Sequence, residues 1–162
     1  MTTEWHERWR EGRIGFHRPE VHPTLTDIAR SRRVFPGKVF VPLAGKTVDL
    51  MWLAQAGAEV VAVELVNEAV RAFFEEQNVE FTQSQDGPLT VYQARTVALT
   101  FYQGDVFDLE ARHLKDVTWT HDRASLVALS ESLRTRYGAH LSHVLPEDVE
   151  LLVVLKGCDQ KL

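Results

Sequence analysis

Three charged side chains at the ends of apolar runs are the residues best placed to do chemistry in this chain: Glu64, Asp105 and Arg123. Glu64 closes the run Val60-Val61-Ala62-Val63, some 20 residues beyond Gly45, where a carboxylate in open α/β sheets accepts hydrogen bonds from ribose hydroxyls. The alternative is a solvated acid at a strand end, and the glycine turn in front favours an adenosine-type ligand. Asp105, in Gln103-Gly104-Asp105-Val106-Phe107, follows a strand pattern at the carboxyl edge, where such sheets bind ligands. It suits equally well the N-cap of the Asp108-Leu109-Glu110 turn. Arg123, in His121-Asp122-Arg123, projects from the same edge, unless it simply pairs with Asp122 at the surface.

Other motifs stop short of a chemistry. Gly45-Lys46-Thr47 resembles the end of a phosphate-binding loop, but Phe40 stands where that motif needs its first glycine. The dinucleotide fingerprint fails for the same want of glycines in Leu43-Ala44-Gly45-Lys46-Thr47-Val48. His6-Glu7 begins like a zinc-protease helix, yet Arg10 replaces the second histidine. His140 and His143 have no acidic or cysteine partner at ligand spacing, and Cys158 has no histidine arrangement around it. Neither a metal site nor a nucleophile is expected.

These residues need a scaffold, and the chain supplies one. Lys38-Val39-Phe40-Val41-Pro42-Leu43 reads as a buried strand running into the turn at Gly45. A helix over Val48–Ala56, stopped by Gly57, and a second buried strand, Glu59–Glu64, complete a βαβ unit with a right-handed crossover. Asn67 is a plausible N-cap for a helix through Gln77 that buries Val70, Phe73 and Phe74. Thr82 to Pro88 is polar and turn-rich, and the alternating segments Leu89–Ala94 and Val97–Tyr102 suggest a hairpin-like excursion before the next sheet strand. Val117–His121, a helix with Leu133, Tyr137, Leu141 and Leu145 on one face, and the apolar strand Val149–Leu155 follow. Ahead of the core, Trp5 and Trp9 stack on one face of a short helix, and residues 16–36, broken by Pro19, Pro23 and Pro36, form an arm.

Composition narrows the partners. The 162 residues carry 18 basic and 23 acidic side chains, a formal charge of −5, and one cysteine. The length fits one domain, and the charge disfavours a nucleic-acid binder. The lone cysteine and the charged N-terminus point to a protein of the reducing cytosol. No apolar run reaches the ~18 residues of a membrane span, so no membrane partner is expected.

The ordered set of motifs resembles the bacterial branch of the thiopurine S-methyltransferases, S-adenosylmethionine-dependent enzymes of the Rossmann-like class. The resemblance rests on Trp5-His6-x-x-Trp9, Ile14-Gly15-Phe16-His17, Val41-Pro42-Leu43-Ala44-Gly45-Lys46, Asp49-Leu50-Met51-Trp52-Leu53-Ala54 and Val63-Glu64-Leu65. It continues through Phe73-Phe74-x-x-Gln77-Asn78, Gly104-Asp105-Val106-Phe107 and Asp122-Arg123-Ala124-x-Leu126-Val127-Ala128-Leu129. Ala44 stands where the family usually has cysteine. The resemblance implies an α/β fold, a Rossmann-like class I methyltransferase three-layer sandwich, in a single domain over residues 1–162. Residues 1–36 would be the arm or lid, 37–155 the core and 156–162 a tail. It implies further that Trp9, Leu43, Glu64, Asp105, Val106 and Arg123 contact S-adenosylmethionine, with Glu64 on the ribose hydroxyls, and that Phe16 faces the acceptor. The implied reaction moves a methyl group to the sulfur of a small thiol, a thiopurine or aryl thiol, and in bacteria to selenium or tellurium compounds, as in tellurite resistance.

The match departs after Leu155, where Lys156-Gly157-Cys158 precedes Asp159-Gln160. The family's further loop, helix and C-terminal antiparallel hairpin have no counterpart in the sequence, so five sheet strands are expected, in order 3-2-1-4-5. An impaired S-adenosylmethionine-binding module is the alternative function. The apolar strand Val149–Leu155 would then be an exposed edge, prone to pairing with a second chain or to aggregation.

Overall fold

Two valine-rich runs separated by one short helix dictate the centre of the fold. The computed structural model describes residues 3–15, 17–23, 25–27, 37–123 and 128–154. In it, β1 (Lys38–Val41) and β2 (Glu59–Glu64) are buried beyond their first residues, as parallel strands covered on both faces must be. They pair in register Val39 to Val60 and Val41 to Ala62, and α1 (Thr3–Arg10) lies ahead of them in the chain. The crossover helix is α2 (Asp49–Gln55).

The next helix, α3 (Asn67–Glu76), buries Val70, Phe73 and Phe74 as its spacing predicts. Its cap differs from expectation. Val66 holds the N-cap position without a side-chain bond, and Asn67, one residue inside, accepts a hydrogen bond from the Tyr92 hydroxyl at 2.7 Å. A tertiary bond to a buried phenol has taken the place of a local cap.

The strand count corrects a second expectation. Five strands form the parallel core, β5 (Leu99–Gln103), β2, β1, β6 (Val117–Arg123) and β7 (Glu150–Val154), but the sheet has seven. The other two, β3 (Phe81–Asp86) and β4 (Leu89–Ala94), form an antiparallel hairpin that extends the sheet beyond β5. β3 covers most of the stretch that reads as polar and turn-rich. It is an edge strand whose interior side chains are exposed, so backbone pairing with β4 makes it a strand without any hydrophobic alternation. The hairpin is tied down at Asp86, which accepts two hydrogen bonds from Arg112 at 2.9 and 2.7 Å and lies 3.1 Å from His113 Nε2.

Side chains alternate between two cores. Val39, Val41, Val60 and Ala62 face Leu50, Leu53, Phe73 and Phe74 from α2 and α3. Phe40, Val61 and Val63 face Tyr137, Leu141 and Val144 from α4 (Glu131–Val144). Helix, sheet and helix thus make three layers. Phe74 packs against Phe73, Phe81, Tyr92 and Phe101 with ring centroids 4.7–6.2 Å apart. Each fully buried phenylalanine ring among them contributes about 1.5–3 kcal/mol by burial.

At the other edge, β7 pairs only with β6 among the described residues, and Leu151 is 60% exposed. Leu155, the end of the expected strand, lies outside the described residues. Among the described residues no helix is long and apolar enough to cross a membrane.

Candidate functional site

The site begins where β1 ends. Leu43 and Gly45 both adopt left-handed backbone, at φ 46 and φ 57, and for leucine that conformation costs about 1–3 kcal/mol. The turn is held in it by the neighbouring strand. The Ala44 amide donates to the Val63 carbonyl at 3.0 Å, and the Gly45 amide donates to Glu64 Oε2 at 2.7 Å. Glu64 Oε1 accepts from the Val66 amide at 3.1 Å. Lys46 reaches Glu76 at the end of α3, 2.6 Å away, and fixes the turn from its other side.

Glu64 is only 8% exposed. Burial pushes its carboxyl up from the ordinary value, against the backbone amides of Gly45, Val66 and Leu65 that favour the charged form. Helix α1 roofs this turn. A Cβ added to Gly45 would lie 3.3 Å from the Trp9 ring, so glycine is what lets the indole close down on the turn.

Between α1 and the carboxyl ends of β1, β2 and β6 lies a cavity of about 330 Å³, within the range of small-molecule sites. Its lining includes Trp5, Trp9, Leu43, Gly45 and Glu64, together with His17, Thr47, Asp49, His121 and Arg123. Asp49 is buried at the start of α2. Its Oδ1 accepts from the His22 amide at 2.9 Å, its Oδ2 lies 3.1 Å from His121 Nε2, and Arg123 Nη1 is 3.9 Å from Oδ2. Burial pushes the Asp49 carboxyl up, but the bonds from His121 and the His22 amide, with the charge of Arg123, outweigh it and hold it below the usual range. Burial draws the Arg123 guanidinium down, and the Asp49 charge opposes this. Burial also lowers His17, helped by Lys46, and His22, helped by Arg123.

Of the residues expected at a site, Trp9, Leu43, Glu64 and Arg123 line this one cavity. Asp105 and Val106 are not among its lining residues. Asp105 is the N-cap of the turn Val106–Asp108, accepting from the Phe107 amide at 2.9 Å. Val106 is buried in the core on the α4 side, and its carbonyl lies 2.9 Å from His140 Nε2. Phe16 lies outside the described residues. Asp49, His121 and Thr47 line the cavity without having been singled out from sequence. Asp49 and His121 are 72 residues apart, so no local spacing signals the pair. The usable hint is the alternation along β6, which puts His121 on the same face as Arg123. Among the described residues there is no group of three or more potential metal ligands.

Comparisons with known proteins identify the family. The model of the family described as thiopurine S-methyltransferase matches residues 1–161. The chain is 42% identical over 153 residues to the thiopurine S-methyltransferase of Shewanella putrefaciens, covering 93% of this chain and 69% of that protein. Among solved structures, it superposes with TM-score 0.67 and 16% identity on a chain from work on the conversion of a disulfide bond into a thioacetal group during echinomycin biosynthesis, covering 94% of this chain and 60% of that one. The DhpI-SAM-HEP complex matches with TM-score 0.60 and 14% identity, covering 98% of this chain and 65% of that one. At such identities the two structures speak to the fold, a Rossmann-like class I methyltransferase. With the family model matched over nearly the whole chain, the protein belongs to the thiopurine S-methyltransferase family of S-adenosylmethionine-dependent enzymes.

Proposed function

We propose that the cavity binds S-adenosylmethionine, with Trp9, Leu43, Glu64 and Arg123 among its contacts, and a small thiol beside it, and that the protein transfers the methyl group to the thiol's sulfur. The observation that carries this reading is the buried Glu64 carboxylate behind a left-handed turn whose one Cβ-free residue lies under Trp9. A carboxylate already holding two backbone amides keeps lone pairs for hydroxyl donors, and the glycine of the turn lets the Trp9 indole lie close enough to wall the same cavity. The residues present therefore fit an adenosine-bearing group.

Glu64 would hold the ribose hydroxyls, the Leu43–Gly45 backbone and Trp9 the adjoining faces. Asp105 and Val106 are assigned to the adenine side, a reading supported by the Gly104 amide, which donates to the Glu64 carbonyl at 2.9 Å and ties their turn to the end of β2. When bound, S-adenosylmethionine supplies an electrophilic methyl group on a sulfonium. The chain's own work is to align the acceptor and exclude water, and alignment alone can lower a barrier by up to about 7–11 kcal/mol. Phe16 is assigned to the acceptor side. Selenium and tellurium nucleophiles fall within the same acceptor class.

The test is incubation with methyl-labelled S-adenosylmethionine and an arylthiol, with the thioether read by mass spectrometry. Labelled thioether that depends on Glu64 supports the proposal, and tight S-adenosylhomocysteine binding without transfer would reduce the protein to a binding module. We assign the exposed β7 edge to pairing with a second copy. A mass above the monomer by light scattering is expected, and a strict monomer at high concentration removes that assignment.

A further inference from the structure

The cavity lining contains a pair that the reading above leaves without a task. On β6, the alternation of side chains sends Trp119, His121 and Arg123 toward α2 and Thr120 and Asp122 toward α4, where Asp122 accepts from the Tyr137 hydroxyl at 2.7 Å. His121 is completely buried and lines the cavity. Its Nε2 is 3.1 Å from Asp49 Oδ2. A carboxylate accepts, so this nitrogen carries a proton, and Nδ1 is the ring's other hydrogen-bonding atom. That Nδ1 is buried and has no hydrogen-bond partner among the described residues. Buried polar atoms nearly always have partners, and an exception calls for a reason.

We propose that His121, oriented by Asp49, is the base that takes the proton from the acceptor's thiol. This rests on the reading of the cavity as a site of methyl transfer to sulfur. The S–H bond breaks with its electron pair left on sulfur, and the proton passes to Nδ1. The imidazolium so formed faces the Asp49 carboxylate, the arrangement by which an acid partner orients and stabilises a histidine base. The thiolate pair then forms the new S–C bond as the bond from the methyl to the donor sulfonium breaks, its electron pair staying on the donor sulfur as a neutral thioether. The proton leaves His121 for water as the products depart.

Other groups lining the cavity are less suited. Arg123 has no acceptor atom, and Glu64 is assigned to the ribose hydroxyls. Among the described residues, the charged and titratable groups around His121 are Asp49 on α2, Arg123 on its own strand and His22 of the arm, with His17 lining the same cavity. Of these, only Asp49 carries a charge that favours an imidazolium.

The experiment compares two acceptors, an arylthiol that is already a thiolate at neutral pH and an alkyl thiol with a cysteine-like pKa of about 8.5. His121→Asn should lower transfer to the alkyl thiol by about 10²- to 10⁴-fold, the usual range for loss of a general base, and lower transfer to the arylthiol by at least about tenfold less. A second readout needs no turnover. With S-adenosylhomocysteine bound, the ultraviolet thiolate band of the weakly acidic thiol should appear below its free pKa in the parent and be lost in His121→Asn. Asp49→Asn keeps an acceptor for His121 but removes the charge, so the same band should appear only at higher pH. Equal loss on both thiols, or a thiolate band that persists without His121, overturns the assignment. A parent that methylates neither thiol overturns the proposed function along with it.

Discussion

Replacing Glu64 with glutamine tests the donor end of the site with a change of one atom. The carboxylate accepts from the Gly45 amide at 2.7 Å and the Val66 amide at 3.1 Å. Glutamine offers one carbonyl oxygen, and its amide nitrogen can only donate, so one of the two backbone amides loses its acceptor. An orphaned buried donor costs about 1–3 kcal/mol. Removing a charge that burial disfavours offsets part of this, so the variant should still fold, with its urea midpoint modestly lowered. Ligand affinity should fall further. Hydrogen bonds to a charged acceptor contribute about 1.5–3 kcal/mol, which converts to about 10- to 150-fold in Kd. Calorimetric titration with S-adenosylhomocysteine reads that loss directly. A pH series sharpens it. The carboxyl is raised above its ordinary value by burial, so between those two values the folded state holds more protons than the unfolded one. Stability should therefore rise on acidification through that window while affinity drops, because the protonated carboxyl no longer accepts as an anion. A variant that binds within about twofold of the parent, or a parent whose affinity ignores this window, would refute the reasoning.

Gly45→Ala places a methyl 3.3 Å from the Trp9 ring at a residue with φ 57; the left-handed strain alone costs about 1–2 kcal/mol. A lower Tm and a shifted tryptophan emission should follow. Phe74→Ala empties the centre of the aromatic cluster and should cost about 3–5 kcal/mol, read as a lower urea midpoint at unchanged slope. The guanidinium of Arg112 beside Asp86 lowers that carboxyl to about 2, so carboxyl NMR should find it ionised well below the pH at which its neighbours titrate. Arg112→Ala should return it toward the ordinary range and speed amide exchange in the β3–β4 hairpin.

Much of this architecture is legible in the residues themselves. The βαβ unit shows because parallel strands covered on both faces must be nearly continuous apolar runs, and Val39–Val41 and Val60–Val63 are such runs. Glu64 stands out because a charge ends one of them. β3 does not show, since an exposed edge strand is specified by backbone pairing rather than by side-chain alternation. Nor does the Asp49–His121 pair, which only the alignment of β6 beside β1 brings together. The left-handed Leu43 is also silent in sequence, because its strain is held by tertiary hydrogen bonds and not by a residue type that prefers it.

The central claim is that the turn after β1 and the carboxylate ending β2 form the donor site. Amide hydrogen exchange with and without S-adenosylhomocysteine tests it most directly. The account predicts new protection over Leu43–Thr47, at Val66 and across α1, all diminished in Glu64→Gln. Binding that leaves these amides unprotected, with its footprint elsewhere on the molecule, would contradict it.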